Sequence, residues 1–241
     1  MSTRQPSPMR NSPARRPAPV RSDASLSQRA YHLLEEAIVT QQVAPGSTVS
    51  EAQLSKLIGM SRMPTREAVR RLARENLLEV RPKYGISIRR IDPGVQLRLL
   101  ETRREVERLM VRLVARESDV ATKAMLQALS SDFQTAAVRP DVLLFVHTDK
   151  LFNELCLSTC GNEFVVDTMR LMQGPSRRFW FQRSRDAEIL VESATLHAAL
   201  AAAIAEGDPN VAAHASDRLL DSAERFARRA IEEAGDALAV S

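Results

Sequence analysis

The sequence predicts a mostly α-helical protein: an N-terminal winged helix-turn-helix of three helices and a β-hairpin, followed by an all-α bundle of about six helices. Apolar residues recur at helical spacing along most of the chain, and alternating segments interrupt them once, at residues 78–89. With 241 residues and 44% hydrophobic positions, two domains are expected. We assign residues 1–24 to a disordered basic tail, 25–91 to the winged domain, 92–235 to the helical domain and 236–241 to a flexible C-terminus.

Charge is distributed unevenly along the chain. Residues 1–24 carry five arginines against one aspartate, together with five prolines and no apolar periodicity, which predicts disorder. Residues 25–91 carry eleven Lys and Arg against six acids, whereas residues 92–241 carry eighteen against twenty-three. A basic front half indicates a polyanion partner, because neutralising phosphates releases counterions. The tail either adds loose attraction to phosphates or is an inert extension.

Two helices are expected at the start of the winged domain. Apolar residues repeat at helical spacing over residues 27–40, and a Pro-Gly pair then ends the first helix. The second helix opens at Ser50, where Gln53 three residues later completes a capping box. It closes at Gly59, a residue suited to the left-handed conformation.

A third helix and a wing complete this domain. The helix starts at Ser61 with Pro64 in its first turn, where a missing N–H costs little. Two helices joined by a Gly-containing turn predict a helix-turn-helix. The alternating residues 78–81 and 85–89 flank Pro82-Lys83-Tyr84, which predicts a hairpin with a basic tip.

Beyond Pro93 the pattern is helical almost to the end. Five breaks divide it into six helices, at Asp119, residues 139–140, residues 161–162, residues 173–175 and residues 207–209.

Four arginines and a threonine lie near the start and on the outer side of the third helix: Arg62, Thr65, Arg66, Arg70 and Arg71. Guanidinium groups can donate in pairs to guanine or to phosphates, and recognition helices contact bases with their N-terminal residues. This favours Arg62 and Arg66, while a solvated face is the alternative for Arg70 and Arg71. At the wing tip, Lys83, Tyr84 and Gly85 either contact DNA at the adjacent groove or form a simple surface turn.

The run from Ser50 to Leu78, SEAQLSKLIGMSRMPTREAVRRLARENLL, closely resembles the winged-helix domain of the GntR family, over about residues 25–91. The resemblance implies a dimeric bacterial transcription regulator that reads a pseudo-palindromic operator in double-stranded DNA. It also implies operator contacts at Ser61, Arg62, Arg66 and Gly85. Ala52 stands where many relatives carry a DNA-contacting Arg, so one contact is expected to be missing.

In the helix that starts at Pro93, Arg103 falls within an apolar stripe formed by Leu99, Val106, Met110 and Leu113. A buried Arg needs an anion, because an unpaired buried charge is very costly. Either Glu107, one turn later, or a ligand carboxylate could supply it.

A polar cluster follows: Asp149 and Asn153 lie one helical turn apart, and His197 comes later. Residues 93–234 resemble the FCD ligand-binding domain, in which an Asp and three His often hold a divalent metal that helps bind a small carboxylate. Asp149 and His197 match those ligands, whereas Asn153 and Leu219 stand at the other two positions. We therefore expect no required cofactor, and at most weak divalent metal binding.

The resulting hypothesis is a pocket in which Arg103, Asn153 and His197, with Asp149 beside them, hold a small acidic metabolite. A core histidine is the alternative reading of His197. The chain would then be a ligand-responsive repressor of a catabolic operon, acting as a homodimer.

Two other classes compete. An enzyme using Asp149 and His197 is disfavoured, since the sequence has no nucleophile elbow, phosphate loop or complete metal set. An architectural DNA protein that senses no effector is the remaining alternative. No stretch approaches the roughly 20 apolar residues of a membrane span, so we expect a cytoplasmic location and no membrane partner. Cys156 and Cys160 are expected to be buried thiols rather than a disulfide or redox switch.

Overall fold

The computed structural model describes the backbone of residues 23–184 and 186–239, and the side chains of residues 26–184 and 186–233. Within them the helices are α1 (Asp23–Val39), α2 (Glu51–Ile58), α3 (Arg62–Arg74), α4 (Pro93–Glu117), α5 (Val120–Val138), α6 (Val142–Thr159), α7 (Glu163–Arg183), α8 (Ala187–Glu206) and α9 (Pro209–Ala239). The strands are β1 (Thr48–Val49), β2 (Leu78–Arg81) and β3 (Gly85–Ile88).

The predicted N-terminal tail falls largely outside these residues, whereas most of the predicted flexible C-terminus falls within them. Of the expected tail, residues 1–22 lie outside the described part, and α1 begins at Asp23. At the other end α9 continues to Ala239, through most of the expected flexible segment, and residues 240–241 are outside the described part.

The predicted helix-turn-helix is confirmed as α2 and α3. The Ser50 hydroxyl accepts a hydrogen bond from the Gln53 backbone N–H at 3.2 Å, and the Gln53 side chain accepts one from the Ser50 N–H at 2.7 Å. This reciprocal pair satisfies two N–H groups that the first turn of α2 leaves free. Gly59 ends the helix with φ of +64°, a conformation that glycine adopts without the steric cost of a Cβ.

The wing is a three-stranded antiparallel sheet in the order β1-β3-β2. The predicted hairpin pairs Leu78 with Ile88 and Arg81 with Gly85, while β1 pairs Thr48 with Ser87. The sequence did not indicate β1, because two residues are too short to show an alternating pattern. Its pairing ties the segment before α2 to the wing.

Each domain has its own core. In the winged domain α1 packs on α3, and the fully buried side chains include Leu34, Ile38, Leu54, Leu72 and Leu77. In the helical domain α5 packs on α8 and α4 on α9, around Phe133, Met110, Leu126, Met169 and Ile204. This burial of apolar surface is the main stabilising contribution.

One predicted helix break is wrong. Over the residues that the structure describes, the helical domain has six helices, but α7 runs through residues 173–175 and ends at Arg183. Pro175 removes one helical hydrogen bond, at a cost of about 3 kcal/mol in a helix interior. Its neighbours Gly174 and Ser176 are buried, so packing on both sides of the helix offsets that loss. After α7, Asp186 caps α8 by accepting from the Glu188 N–H at 2.9 Å.

By length and composition alone, helix α8 is long and apolar enough to cross a membrane. We had expected no such segment. Its face carrying Leu190, Ala194, Ala198 and Ala201 is buried in the helical domain, against α5 and α9. Among the described residues this is the one helix that qualifies, and its packing accounts for the composition.

The two domains meet where α7 contacts the winged domain. A Cβ added to Gly174 would lie 2.7 Å from Leu77 Cδ1, so the buried Leu77 side chain would have to shift to admit a larger residue. Arg178, four residues after Gly174, is buried and donates to the carbonyls of Leu77 and Arg89 at 3.2 and 2.9 Å. Burial, together with the charge of Arg89, lowers the pKa of Arg178 to about 10. Arg178 therefore connects the helical domain to the residue before β2 and to the residue after β3.

Candidate functional site

The outer face of α3 presents a row of guanidinium groups. Arg62, Arg66 and Arg70 are exposed, and Ser61 at the N-cap is exposed with no cap hydrogen bond from its side chain. Positions four residues apart lie on the same side of a helix, so these three arginines form one strip that begins at the helix N-terminus. This strip has the chemistry and the placement needed to contact DNA in the major groove.

Arg66 is already engaged within the winged domain. Its Nε and Nη2 donate to the two carboxylate oxygens of Glu51, at 2.9 and 3.0 Å. This bidentate pair orients the arginine from α2, and it raises the pKa of Arg66 while lowering that of Glu51.

Two residues of the predicted DNA-reading face point elsewhere. Thr65 is fully buried and its hydroxyl donates to the Ser61 carbonyl at 2.9 Å, so its side chain has no surface to offer to DNA, contrary to prediction. At the first turn of α3 this position faces the domain core, which a count of residue types alone did not show. Arg71 turns inward too, with its guanidinium 3.5 Å from the Tyr31 ring centre and hydrogen-bonded to Glu75.

The wing tip is open to solvent. Tyr84 is 78% exposed, Lys83 is exposed and Gly85 is half-buried. Gly85 has φ of +97°, and a Cβ there would lie 3.0 Å from the Val49 carbonyl oxygen, so the tip depends on glycine. Ala52 is exposed on α2 and presents only a methyl group, consistent with one fewer contact than many relatives are expected to make.

The helical domain contains a partly open cavity of about 110 Å³. Its walls come from five helices and include Phe145 and Trp180, whose ring centres lie 4.2 Å apart, and Leu219. Since one water needs about 10–15 Å³ of such space, there is room for several water-sized groups, as in a small metabolite. Other apolar side chains complete these walls, and charged or polar residues also line the cavity, among them Arg103, Asp149, Ser176, Arg177, Ser193 and His197.

Asp149 is the centre of the charged wall. It is 7% exposed, its Oδ2 accepts from Arg177 Nε at 2.9 Å, and its Oδ1 lies 3.5 Å from His197 Nε2. His197 Nδ1 is 2.7 Å from the Ser193 carbonyl, which can only accept, so this nitrogen carries a hydrogen. Burial lowers the pKa of His197, with Asp149 opposing that shift.

Arg103 lines the same cavity and pairs with Glu107, the protein carboxylate that the sequence suggested. Its Nε donates to Glu107, whose other oxygen accepts a 3.3 Å hydrogen bond from the Ser216 hydroxyl. Arg103 is thus oriented by Glu107 while its guanidinium remains on the cavity wall. The protein carboxylate is present, and a ligand carboxylate would be an additional partner.

Asn153 does not line this cavity, contrary to its predicted place beside Arg103 and His197. Its amide nitrogen donates to Asp149 Oδ1 at 2.9 Å, and its oxygen accepts from Gln173 at 2.9 Å. The side chain therefore orients Asp149 from behind. Spacing along α6 placed both residues on one side of the helix, but the neighbouring α7 decided which of them reaches the cavity.

The donor set does not fit a tightly bound transition metal. Zinc and nickel sites need three or four nitrogen, sulfur or carboxylate ligands. The structure, over the residues it describes, has no group of three or more His, Cys, Asp or Glu that could hold a metal ion. Leu219 supplies only methyl groups at the cavity wall, and the Arg177 cation contacts the carboxylate that would be the first ligand.

Two residues were not predicted: Arg177, which lines the cavity, and Glu35 of α1, which accepts a hydrogen bond from Arg177 Nη1 at 2.7 Å. Because a helix break was expected at residues 173–175, the sequence did not place Arg177 on a face of α7. Glu35 lies within the apolar stripe of α1 next to Leu34, and an acid within such a stripe is a signal that could have been followed.

Cys156 and Cys160 are both free and buried, as expected.

A winged helix-turn-helix joined to an all-helical domain with an internal cavity defines a class of two-domain DNA-binding regulators. The sequence pattern of bacterial regulatory proteins of the gntR family matches residues 26–88, and that of the FCD domain matches residues 98–222, half of the chain. The chain therefore belongs to the GntR family of transcriptional regulators, with an FCD domain, and not to an enzyme family.

Similar proteins agree with this assignment. The chain is 31% identical over 137 residues to an uncharacterised HTH-type transcriptional regulator of Agrobacterium vitis, covering 55% of this chain and 80% of that protein. It is 41% identical over 64 residues to a regulator of Streptomyces ambofaciens, a match that spans 27% of that protein's length. The structure of Escherichia coli McbR/YncC has the same fold, with a TM-score of 0.71 and 20% identity, covering 86% of this chain and 98% of that one.

Proposed function

We propose that this protein is a ligand-responsive repressor of a catabolic operon, which binds its operator as a homodimer and is released by a small carboxylate metabolite. Residues 25–91 would read the DNA and residues 92–235 would bind the effector and pair the subunits. A cytoplasmic location follows from such a role.

The DNA-reading proposal rests on the exposed strip of α3. Arg62, Arg66 and Arg70 would contact base edges or phosphates, and the Ser61 hydroxyl, which makes no cap bond, would reach the backbone near the helix N-terminus. Lys83, Tyr84 and Gly85 at the wing tip would contact the adjacent groove. Two subunits related by twofold symmetry would place two such strips on the halves of a pseudo-palindrome.

The effector proposal rests on one observation: arginines and an aromatic pair line the same cavity. Arg103 and Arg177 are its two mostly buried arginines, Arg225 and Arg229 are exposed ones, and Phe145 and Trp180 form the aromatic pair. A small acid with an apolar body would match both kinds of surface. Asp149 and His197 would take part by orienting Arg177 and by bounding the ligand. No metal is needed for this recognition, and divalent metal would bind weakly at most.

The test is a comparison of carboxylates with their neutral amides. Acids that bind should raise the melting temperature of the full chain, whereas amides of the same shape should not, because they lack the charge that the arginines bind. The acids that stabilise should also weaken binding to DNA fragments that the protein selects from a random-sequence library.

Tight operator binding without stabilisation by any carboxylate would instead favour the architectural alternative, a DNA-binding protein that senses no effector. Release by amides as readily as by acids would refute the assignment of the two arginines.

A further inference from the structure

Arg177 occupies a position between two spaces in the molecule. On one side is the effector cavity, and on the other a cleft between the domains that Tyr31, Glu35 and Lys150 also line. Among the described residues, Arg177 is the one side chain that lines both. Any change in its partners therefore affects both surfaces.

The guanidinium is shared between two carboxylates that belong to different domains. Its Nε donates to Asp149 of α6 at 2.9 Å, and its Nη1 donates to Glu35 of α1 at 2.7 Å. All three side chains are at least nine-tenths buried. Buried ion pairs of this kind are sensitive to loss of a partner, because the charge left behind is uncompensated.

We propose that Arg177 is the anchoring cation of the cavity in place of a metal, and that an effector carboxylate competes with Glu35 for it, loosening α1 from α7. This inference rests on the proposed function, since it needs a carboxylate in the cavity. It names the residue that would connect ligand binding to the DNA-binding domain.

The charge balance around Arg177 explains why a ligand would disturb this pair. Without ligand, the ion pairs around Arg177 are balanced: Asp149 and Glu35 pair with Arg177 and Lys150, while Glu107 pairs separately with Arg103. A carboxylate bound to Arg177 would add one negative charge to this balanced group, so it would compete with Glu35 and Asp149 for the guanidinium. Glu35 is the acid on the separate domain, and it can withdraw without unfolding the helical bundle.

On the DNA side, α1 is linked to the reading helix. One turn before Glu35, the Tyr31 hydroxyl donates to Glu75 at 2.8 Å, and Arg71 of α3 donates to the same carboxylate at 3.0 Å. The Arg71 guanidinium also lies over the Tyr31 ring. Since α1 and α3 share one core, a change in how α1 docks on α7 would move the whole reading head relative to the helical domain.

The experiment uses benzoate as the probe, a small acid with an aromatic body, and benzamide as its neutral counterpart. Three forms of the full chain are compared: wild type, Glu35→Gln and the matched control Glu36→Gln. Glu36 is the next residue on α1 but is exposed, so the control makes the same chemical change outside the network. Calorimetry gives the affinity for each probe, and fluorescence anisotropy gives the affinity for the selected DNA with and without benzoate.

We expect Glu35→Gln to bind benzoate at least about fivefold more tightly than the other two forms, because Arg177 is no longer held by a competing charge. Benzoate should weaken DNA binding of wild type and Glu36→Gln by about fivefold or more, and change that of Glu35→Gln by less than about twofold. Thermal melts check that all three forms are folded.

The outcomes separate the two proposals. Binding of benzoate with equal affinity to Glu35→Gln and Glu36→Gln, or equal release of both from DNA, would overturn the role of Arg177 while leaving the effector site in place. A failure of every form to bind benzoate in preference to benzamide would count against the proposed carboxylate site itself.

Discussion

Replacing Gly174 with Ala tests how closely the two domains are fitted together. The new Cβ would lie 2.7 Å from Leu77 Cδ1 and 3.3 Å from its Cγ, whereas carbon atoms in contact prefer about 3.5–4.0 Å. Leu77 is fully buried in the core of the winged domain, so it cannot move into solvent.

Two effects oppose each other in this substitution. Overpacking costs about 1–3 kcal/mol, while Ala is favoured over Gly in a helix interior by about 1 kcal/mol. We therefore expect a net loss of about 1 kcal/mol in the free energy of unfolding. Urea denaturation followed by fluorescence of Trp180, the single tryptophan in the sequence and part of the same helix, measures it.

A double-mutant cycle with Leu77→Ala isolates the contact. Leu77→Ala alone should cost about 2–5 kcal/mol, and the double variant should be less destabilised than the two single losses combined, because the added methyl enters the space that leucine vacates. If the two losses of unfolding free energy were additive, or if Gly174→Ala were at least as stable as wild type, the domains would not be tightly packed at this contact. Either result would refute the reasoning.

Three further predictions address DNA reading, pH and metal. Arg66→Ala should weaken binding to the selected DNA by about 1–3 kcal/mol, measured by anisotropy, with Arg29→Ala at an exposed position of α1 as the control; equal losses would contradict a specific role. Burial, and then the charge of Lys150, lower the pKa of His32 below its usual value. Its contribution to stability should be full above about pH 6.5 and decline as the pH falls below that value, because the unfolded chain takes up the proton first, and His32→Gln should reduce this slope in urea titrations. Elemental analysis of the purified protein should find well below one zinc or nickel per chain, and a stoichiometric amount would overturn our view of the cavity.

Local sequence signals determined much of the fold. The capping box at Ser50 and the glycine at position 59 defined α2, since caps depend on residues close in the chain. Hairpin alternation located the wing, and helical periodicity with four of the five breaks outlined the rear domain. The fifth predicted break was wrong because Gly174 and Pro175 usually interrupt a helix. Here packing against the other domain offsets the loss of helix stability, and no local sequence pattern encodes that packing.

The residue types of both sites could be read from the sequence, but their partners could not. Composition and spacing indicated arginines on α3, because these depend on identity and helical geometry alone, and the family resemblance indicated a degenerate metal set at Asp149. Only the tertiary structure buried Thr65, turned Asn153 behind Asp149 and joined Arg177 to Glu35. Those contacts unite residues up to 142 positions apart, and long-range electrostatic pairing is settled by how helices pack.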